Sequence, residues 1–231
     1  MKILRKLILL ICIAVFCYSA FMIGKYYYDG YQRQNAFKEL KVETLAALSK
    51  KNKDTFGWIK IKNTKIDYPV MFTPDRPQHY LRKDFSGKYN EGGTIFLGDE
   101  TDLERSKVWF IYGHNMHDGT MFGDLTKYSE KKDFVKDHPM IELETLRNGK
   151  EKYKVFAFAK TTALEDEAFS IYDYTNITDK FKFDKFIQGV KQHSDYKNDI
   201  NPTFDDKLIV LSTCAYHTEE GRYYVVGVKE K

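Results

Sequence analysis

From Leu7 through Gly24 the chain carries no charged residue, and Leu, Ile, Val, Phe, Ala and Cys dominate the run. As a helix rising ~1.5 Å per residue this run reaches roughly 27 Å, close to the hydrocarbon thickness of a bilayer. Lys2, Arg5 and Lys6 precede it. The bias of basic residues toward the cytoplasm then puts the N-terminus inside and everything after Gly24 outside. The rival reading is a cleaved signal peptide. The run is longer than the usual signal core, however, and Tyr18, Ser19 and Ala20 make a poor cleavage site. The expected organisation is therefore a membrane anchor at residues 1–24, a helical linker at 25–54 and a folded, exported domain at 55–231.

Export changes what the cysteines mean. Cys12 and Cys17 lie within the apolar run, where they behave as small apolar residues, so of three cysteines only Cys214 belongs to the exported domain. A single thiol cannot form an internal disulfide, and it is a liability in an oxidising exterior unless it has work to do. A buried, inert cysteine is the plain alternative. The 37 basic and 33 acidic residues are interspersed, giving a net charge of +4 without the dense Lys/Arg stripe that a phosphate-tracking protein needs. Nucleic acid is thereby excluded as an expected partner. With 16% aromatic residues and only 5 prolines, the chain is neither disordered nor fibrous.

Between Tyr26 and Leu48 apolar residues recur at helical spacing, which predicts a linker helix. After a polar break at residues 50–54 the pattern changes to short apolar or alternating runs bounded by Gly, Pro, Asn and Asp. Strands are expected at residues 57–61, 66–71, 93–97, 107–112, 140–145, 152–161, 207–215 and 222–229. Asn148-Gly149 predicts a tight hairpin between the fifth and sixth. Helical patterns fall at 121–128, 131–136 and 180–193, the last with Phe183, Phe186, Ile187 and Val190 on one face. The fold class is mainly β with inserted helices, closed as a barrel or stacked as a sandwich.

The strand that begins at Lys207 runs through Leu-Ile-Val-Leu into Ser212, Thr213 and Cys214, which places the thiol at a strand end open to substrate. Residues 215–221 read as a polar loop, and a symmetric hairpin sets Arg222 opposite Cys214 on one face. A guanidinium there favours the thiolate or hydrogen-bonds an oxyanion on an attacked carbonyl. A nucleophilic thiol also needs an imidazole. Of the six histidines, His114 is best placed, following the apolar run 108–112 through Gly113. His79, His138 and His193 sit in polar surroundings and read as surface residues.

The stretch from Ile111 to Leu125, Ile-Tyr-Gly-His-Asn-Met-His-Asp-Gly-Thr-Met-Phe-Gly-Asp-Leu, followed downstream by Leu-Ser-Thr-Cys214 and then Arg222, resembles the His, Cys and Arg pattern of the sortases. The helix-containing insertion between Thr161 and Lys207 and the helical N-terminal extension resemble class B members. The resemblance covers residues from about 30 to 231. It implies a closed eight-stranded barrel with a helix between the sixth and seventh strands, outside a Gram-positive membrane, acting as a cysteine transpeptidase. Carried over by position, it implies Cys214 as nucleophile, His114 as general acid and base, Arg222 as stabiliser of substrate and oxyanion, and Ser212 and Thr213 in the substrate pocket. The implied partners are surface proteins with a C-terminal sorting signal of the Asn-Pro-x-Thr-x kind and a cell-wall amine acceptor.

Three other readings use the same residues. A cysteine endopeptidase would let water resolve the thioester. A pilin-polymerising relative is disfavoured by the lack of an apolar segment after Arg222. A wall-binding module would use the 17 Tyr and 17 Phe for contact and leave Cys214 incidental. The spacings His114-x-x-His117 and Cys214-x-x-His217 together resemble a zinc site, but Arg222 would put an opposing charge beside the metal, so neither metal nor cofactor is expected.

Overall fold

The computed structural model describes residues 2–131, 133–162, 169–214 and 221–231, with residues 2, 162 and 214 described by their backbone alone. The chain divides into two compact units, Met1–Leu40 and Lys41–Lys231. The first consists of α1, Lys2–Lys41, a single helix long and apolar enough to cross a membrane. The predicted linker helix does not run unbroken to Leu48. Thr44 caps a second helix, α2 (Leu45–Lys51), its hydroxyl accepting from the Ala47 N–H at 3.2 Å.

The second unit is a closed barrel of eight strands. They are β1 (Thr55–Ile61), β2 (Asp67–Met71), β3 (Ile95–Leu97), β4 (Val108–Tyr112), β5 (Met140–Thr145), β6 (Gly149–Thr162), β7 (Leu208–Cys214) and β8 (Gly221–Lys229), closing in the order β1-β2-β3-β4-β7-β8-β6-β5. The β2/β3 and β4/β7 pairs are parallel and the others antiparallel.

Hydropathy tells which walls are covered. β5, Met-Ile-Glu-Leu-Glu-Thr, alternates between half-buried and buried residues, as a wall with one wet face does. β4 (Val-Trp-Phe-Ile) and β7 (Leu-Ile-Val-Leu) are continuous apolar runs, because both faces are buried. The outer cover is α5 (Lys180–His193), which packs Phe183, Phe186 and Val190 against Val108, Phe110, Leu208 and Val210. Two shorter helices, α3 (Lys127–Glu130) and α4 (Phe134–Asp137), stand where longer helical patterns were predicted. The first is preceded by a 3-10 turn, Gly123–Thr126.

The Asn148-Gly149 hairpin also differs from expectation. Thr145 pairs with Gly149, so residues 146–148 form a three-residue connection, and of the Asn-Gly pair only Gly149 takes a positive φ, +70°. The Asn148 N–H is instead held by the Thr145 hydroxyl at 3.0 Å, and the extra residue is absorbed as a turn followed by a left-handed glycine. His138, half-buried, and His193, exposed as expected, both terminate helices. Their Nδ1–H groups donate to Phe134 O at 2.9 Å and Gly189 O at 2.8 Å, and their rings stack on Phe134 and Phe169.

α5 has little room against the insertion. A Cβ on Gly189 would lie 2.1 Å from the Phe169 ring. Gly189→Ala should therefore lose stability by roughly 1–3 kcal/mol despite alanine's better helix propensity, and thermal unfolding monitored by circular dichroism reads this as a lowered Tm.

Candidate active site

The site is built on the parallel pairing of β4 with β7. Tyr112 pairs with Ser212, and the Gly113 N–H reaches Ser212 O at 3.2 Å, so the register carried on by two residues sets His114 at the level of Cys214. On the other side of β7, Cys214 pairs with Arg222 as the hairpin reading expected. The end of β4, remote in sequence, thus meets the end of β7 and the start of β8 at one rim. His217, Glu219 and Glu220 lie outside the described residues.

Local sequence explains how the chain reaches this arrangement. At Gly113 a Cβ would lie 2.4 Å from Ile95 Cδ1 and 2.8 Å from the Phe122 ring, so only glycine passes between them. The loop that follows is pinned from several sides. The Phe122 N–H donates to His114 O at 2.9 Å, Asn115 bridges to Met121, and the Met121 N–H donates to the Tyr68 hydroxyl at 2.9 Å. Met121 is fully buried with φ +54°, a strained conformation for a non-glycine residue that its surroundings over-determine. The Met-Phe-Gly-Asp-Leu stretch supplies this support. Phe122 and Leu125 are buried, and a Cβ on Gly123 would meet Met116 O at 2.7 Å. The buried Asp124 carboxylate accepts the Lys65 N–H at 2.8 Å and pairs with Lys127 at 2.6 Å.

His114 is half-buried and its Nε2 lies 2.8 Å from Leu81 O. A carbonyl only accepts, so Nε2 bears the hydrogen and Nδ1 keeps its lone pair for use as a base. The carbonyl is itself fixed. Gly93, at φ +60°, packs so closely that a Cβ would sit 2.3 Å from Leu81 O. The neighbouring Tyr80 hydroxyl donates to Asp54 and accepts from Asn52, each at 2.8 Å. Burial holds that phenol at a pKa of about 12, so it stays a donor. Burial is also the largest influence on His114 and lowers its pKa below 6.5. The Leu81 bond opposes this, the Arg82 charge reinforces it and Glu91 opposes it. The imidazole therefore rests neutral.

His114, Arg222, Ser212 and Thr213 all line one groove of about 430 Å³, whose other walls include Tyr112, Tyr172, Leu81 and Gly98. Arg222 is half-buried and one guanidinium N–H donates to Gly221 O at 2.9 Å. Ser212, 2% exposed, hydrogen-bonds the Tyr172 hydroxyl at 2.7 Å. Thr213 alternates to the opposite face, and its buried hydroxyl has no partner among the described residues. His117 is exposed and does not line the groove. Sequence reasoning missed Tyr172 and the Leu81 carbonyl. Tyr172 lies in a 3-10 turn, Ile171–Tyr174, whose one local signal is the Ser170 cap, and a backbone acceptor leaves no compositional trace.

A mixed barrel thus brings a neutral imidazole and a guanidinium to one groove, and the strand between their two elements ends at Cys214. Residues 59–230 match the Sortase domain family. The chain is 32% identical to Sortase B of Listeria monocytogenes over 97% of its own length and 96% of that protein. It superposes on a Staphylococcus aureus sortase B–substrate complex with a TM-score of 0.76 at 28% identity, covering 88% of this chain and 99% of that one. A sortase B complexed with triglycine gives 0.70 at 32% identity, covering 80% and 85%. The chain belongs to the sortase family, with class B relatives.

The His114 geometry sets an expected titration. In NMR the ring should titrate below 6.5 with its hydrogen on Nε2. Because the folded state takes up this proton later than the unfolded chain, the contribution to stability is full above pH 6.5 and is lost as pH falls below it, so stability should rise with pH across that window. Titration above 6.5 would contradict the burial argument.

Proposed function

We propose that this protein is a membrane-anchored transpeptidase that cleaves a C-terminal sorting peptide of the Asn-Pro-x-Thr-x kind after Thr and passes the surface protein to a cell-wall amine. The observation that carries this reading is the register of β4, β7 and β8, which brings His114, Cys214 and Arg222 to one rim of the groove. The long apolar helix α1 supports anchoring, with a cytoplasmic N-terminus and an extracellular barrel. One similar sortase B structure is a substrate complex and another is complexed with triglycine, which supports a peptide donor and an amine acceptor.

In this mechanism the sorting peptide lies extended along the groove, resting on the β7 wall at Ser212, with its Thr carbonyl at Cys214. His114 Nδ1 takes the thiol proton and sulfur adds to the carbonyl carbon. The oxyanion is held by Arg222 and backbone N–H groups. Collapse expels the downstream amine, which takes its proton from the His114 imidazolium, leaving a thioester on Cys214. An incoming amine gives up a proton to His114, attacks the thioester and returns the thiol. Tethering the enzyme to the membrane raises its effective concentration near exported substrate and membrane-bound acceptor.

Intact-mass spectrometry of the detergent-solubilised full chain with an Asn-Pro-x-Thr-x peptide tests this. A peptide-sized adduct should form on Cys214, vanish when triglycine is added, and be absent in Cys214→Ala. Loss of adduct to water alone, with no transfer product, would make the protein an endopeptidase. Arg222→Ala should lower turnover by roughly two to three decades, the typical loss for an oxyanion donor. His114→Ala should be nearly as damaging as loss of the thiol, since members of one catalytic unit are non-additive. Greater damage from His117→Ala would mean the base has been misassigned.

A further inference from the structure

The groove is electrically polar along its length. Arg222 and His114 stand at the Cys214 end, while the far end is bounded by Asp99 and Glu100, which follow β3. Asp99 is half-buried and Glu100 exposed. Glu100 accepts a hydrogen bond from the Thr175 hydroxyl, and neither carboxylate forms an ion pair among the described residues. Thr101, 6% exposed, lines the same end, and its buried hydroxyl has no hydrogen-bond partner among the described residues. Two negative charges and an unsatisfied hydroxyl thus meet in a groove whose only cationic lining residue, among those described, is at the opposite end. The field of the acids reaches into the groove, since both help raise the pKa of the Tyr112 phenol, after burial and Tyr172.

Strand register gives the scale. Phe96 pairs with Tyr112, and the Gly98 N–H reaches Phe110 O at 2.8 Å, so Asp99 lies about five residues back along β4 from the level of Cys214 and two strands across. At ~3.3 Å per residue and ~4.8 Å per strand this is roughly 19 Å, or about five to six residues of extended peptide. The acyl fragment has to stay bound while the leaving segment departs, so the walled length of the groove holds the upstream side of the substrate.

Resting on the transpeptidase reading, we propose that the Asp99–Glu100–Thr101 end of the groove selects sorting peptides that carry a cationic side chain, lysine or arginine, at the second or third position upstream of the four-residue Asn-Pro-x-Thr motif. The carboxylates supply the counter-charge and the Thr101 hydroxyl accepts from the ammonium or guanidinium. Arg222 at the other end repels the same group, so charge also sets the direction in which the peptide lies.

The test compares kcat/KM for acylation of the full chain by paired peptides that differ only in lysine against norleucine at each of those two positions. The lysine peptide should be favoured roughly fivefold to tenfold at low salt, with the ratio shrinking toward one as ionic strength rises. In Asp99→Asn/Glu100→Gln the lysine-to-norleucine ratio should fall close to one, and in Glu100→Lys it should invert in favour of a glutamate peptide. A ratio near one in the unmodified protein, with the norleucine peptide still forming the Cys214 adduct, overturns this inference and leaves the transpeptidase standing. A preference confined to the x position, or an effect of the substitutions on amine dependence alone, overturns it too. Failure of every peptide to form an adduct overturns the transpeptidase reading itself.

Discussion

The parallel pairing of β4 with β7 is the constraint on which the site depends. Neither strand is long, yet Tyr112 against Ser212 and the Gly113 bond beyond it set the height at which His114 and Cys214 emerge. A slip of one residue would exchange faces along β7, sending Ser212 into the barrel and Thr213 toward the groove wall. The register is protected from slipping because both faces of the pair are buried. The interior face is closed by Ile111, Ile209 and Leu211, and the outer face by α5 through Phe183, Phe186 and Val190. Parallel pairs need long crossovers, and the one from β4 to β7 carries β5, β6 and α5. The segment that covers the pair is therefore part of the segment that makes it possible.

Register alone brings a histidine to the rim but does not orient its ring. That is the task of two irregular segments. One is the loop from His114 to Phe122, fixed by Tyr68, by the buried Asp124 and by the strained backbone at Met121. The other is the connection between β2 and β3, which carries the Leu81 carbonyl to Nε2 and is held by Gly93 and by the Asn52, Asp54 and Tyr80 bonds. Several fixed contacts converge on one imidazole and hold it in a single tautomer, the preorganisation that the proposed mechanism draws on.

These two segments also mark the boundary of what the sequence made legible. Strand positions follow from period and burial, so all eight could be read to within a few residues, α5 was read at its observed bounds, and the opposition of Cys214 to Arg222 came from hairpin symmetry. Segments whose conformation rests on single hydrogen bonds were not legible. The linker helix breaks at Thr44 because one hydroxyl caps α2, and Asn148 avoids the left-handed region because the Thr145 hydroxyl holds its N–H. Leu81 lies 33 residues before His114 in a stretch with no hydropathic period, and its contribution is a carbonyl that every residue possesses. The Met-Phe-Gly-Asp-Leu stretch stood out as a pattern, but its physical meaning as the scaffold of the histidine loop emerges only from the contacts of Gly123 and Asp124.

Between its charged ends the groove is lined by groups that stay neutral. Burial keeps the Tyr112 phenol protonated, the Tyr172 hydroxyl is engaged with Ser212, and His114 rests uncharged. A wall of this kind suits a peptide backbone, whose N–H and C=O groups need hydrogen-bond partners and whose uncharged side chains would gain nothing from an ion. Among the described residues that line the groove, Arg222 is the one fixed positive charge. In a half-buried setting that charge is screened less than at an open surface, so in the proposed mechanism its effect falls on the thiolate and then on the oxyanion. Placing the cation on β8, across a sheet ladder from the strand of Cys214, fixes the spacing of the two backbones by hydrogen bonds.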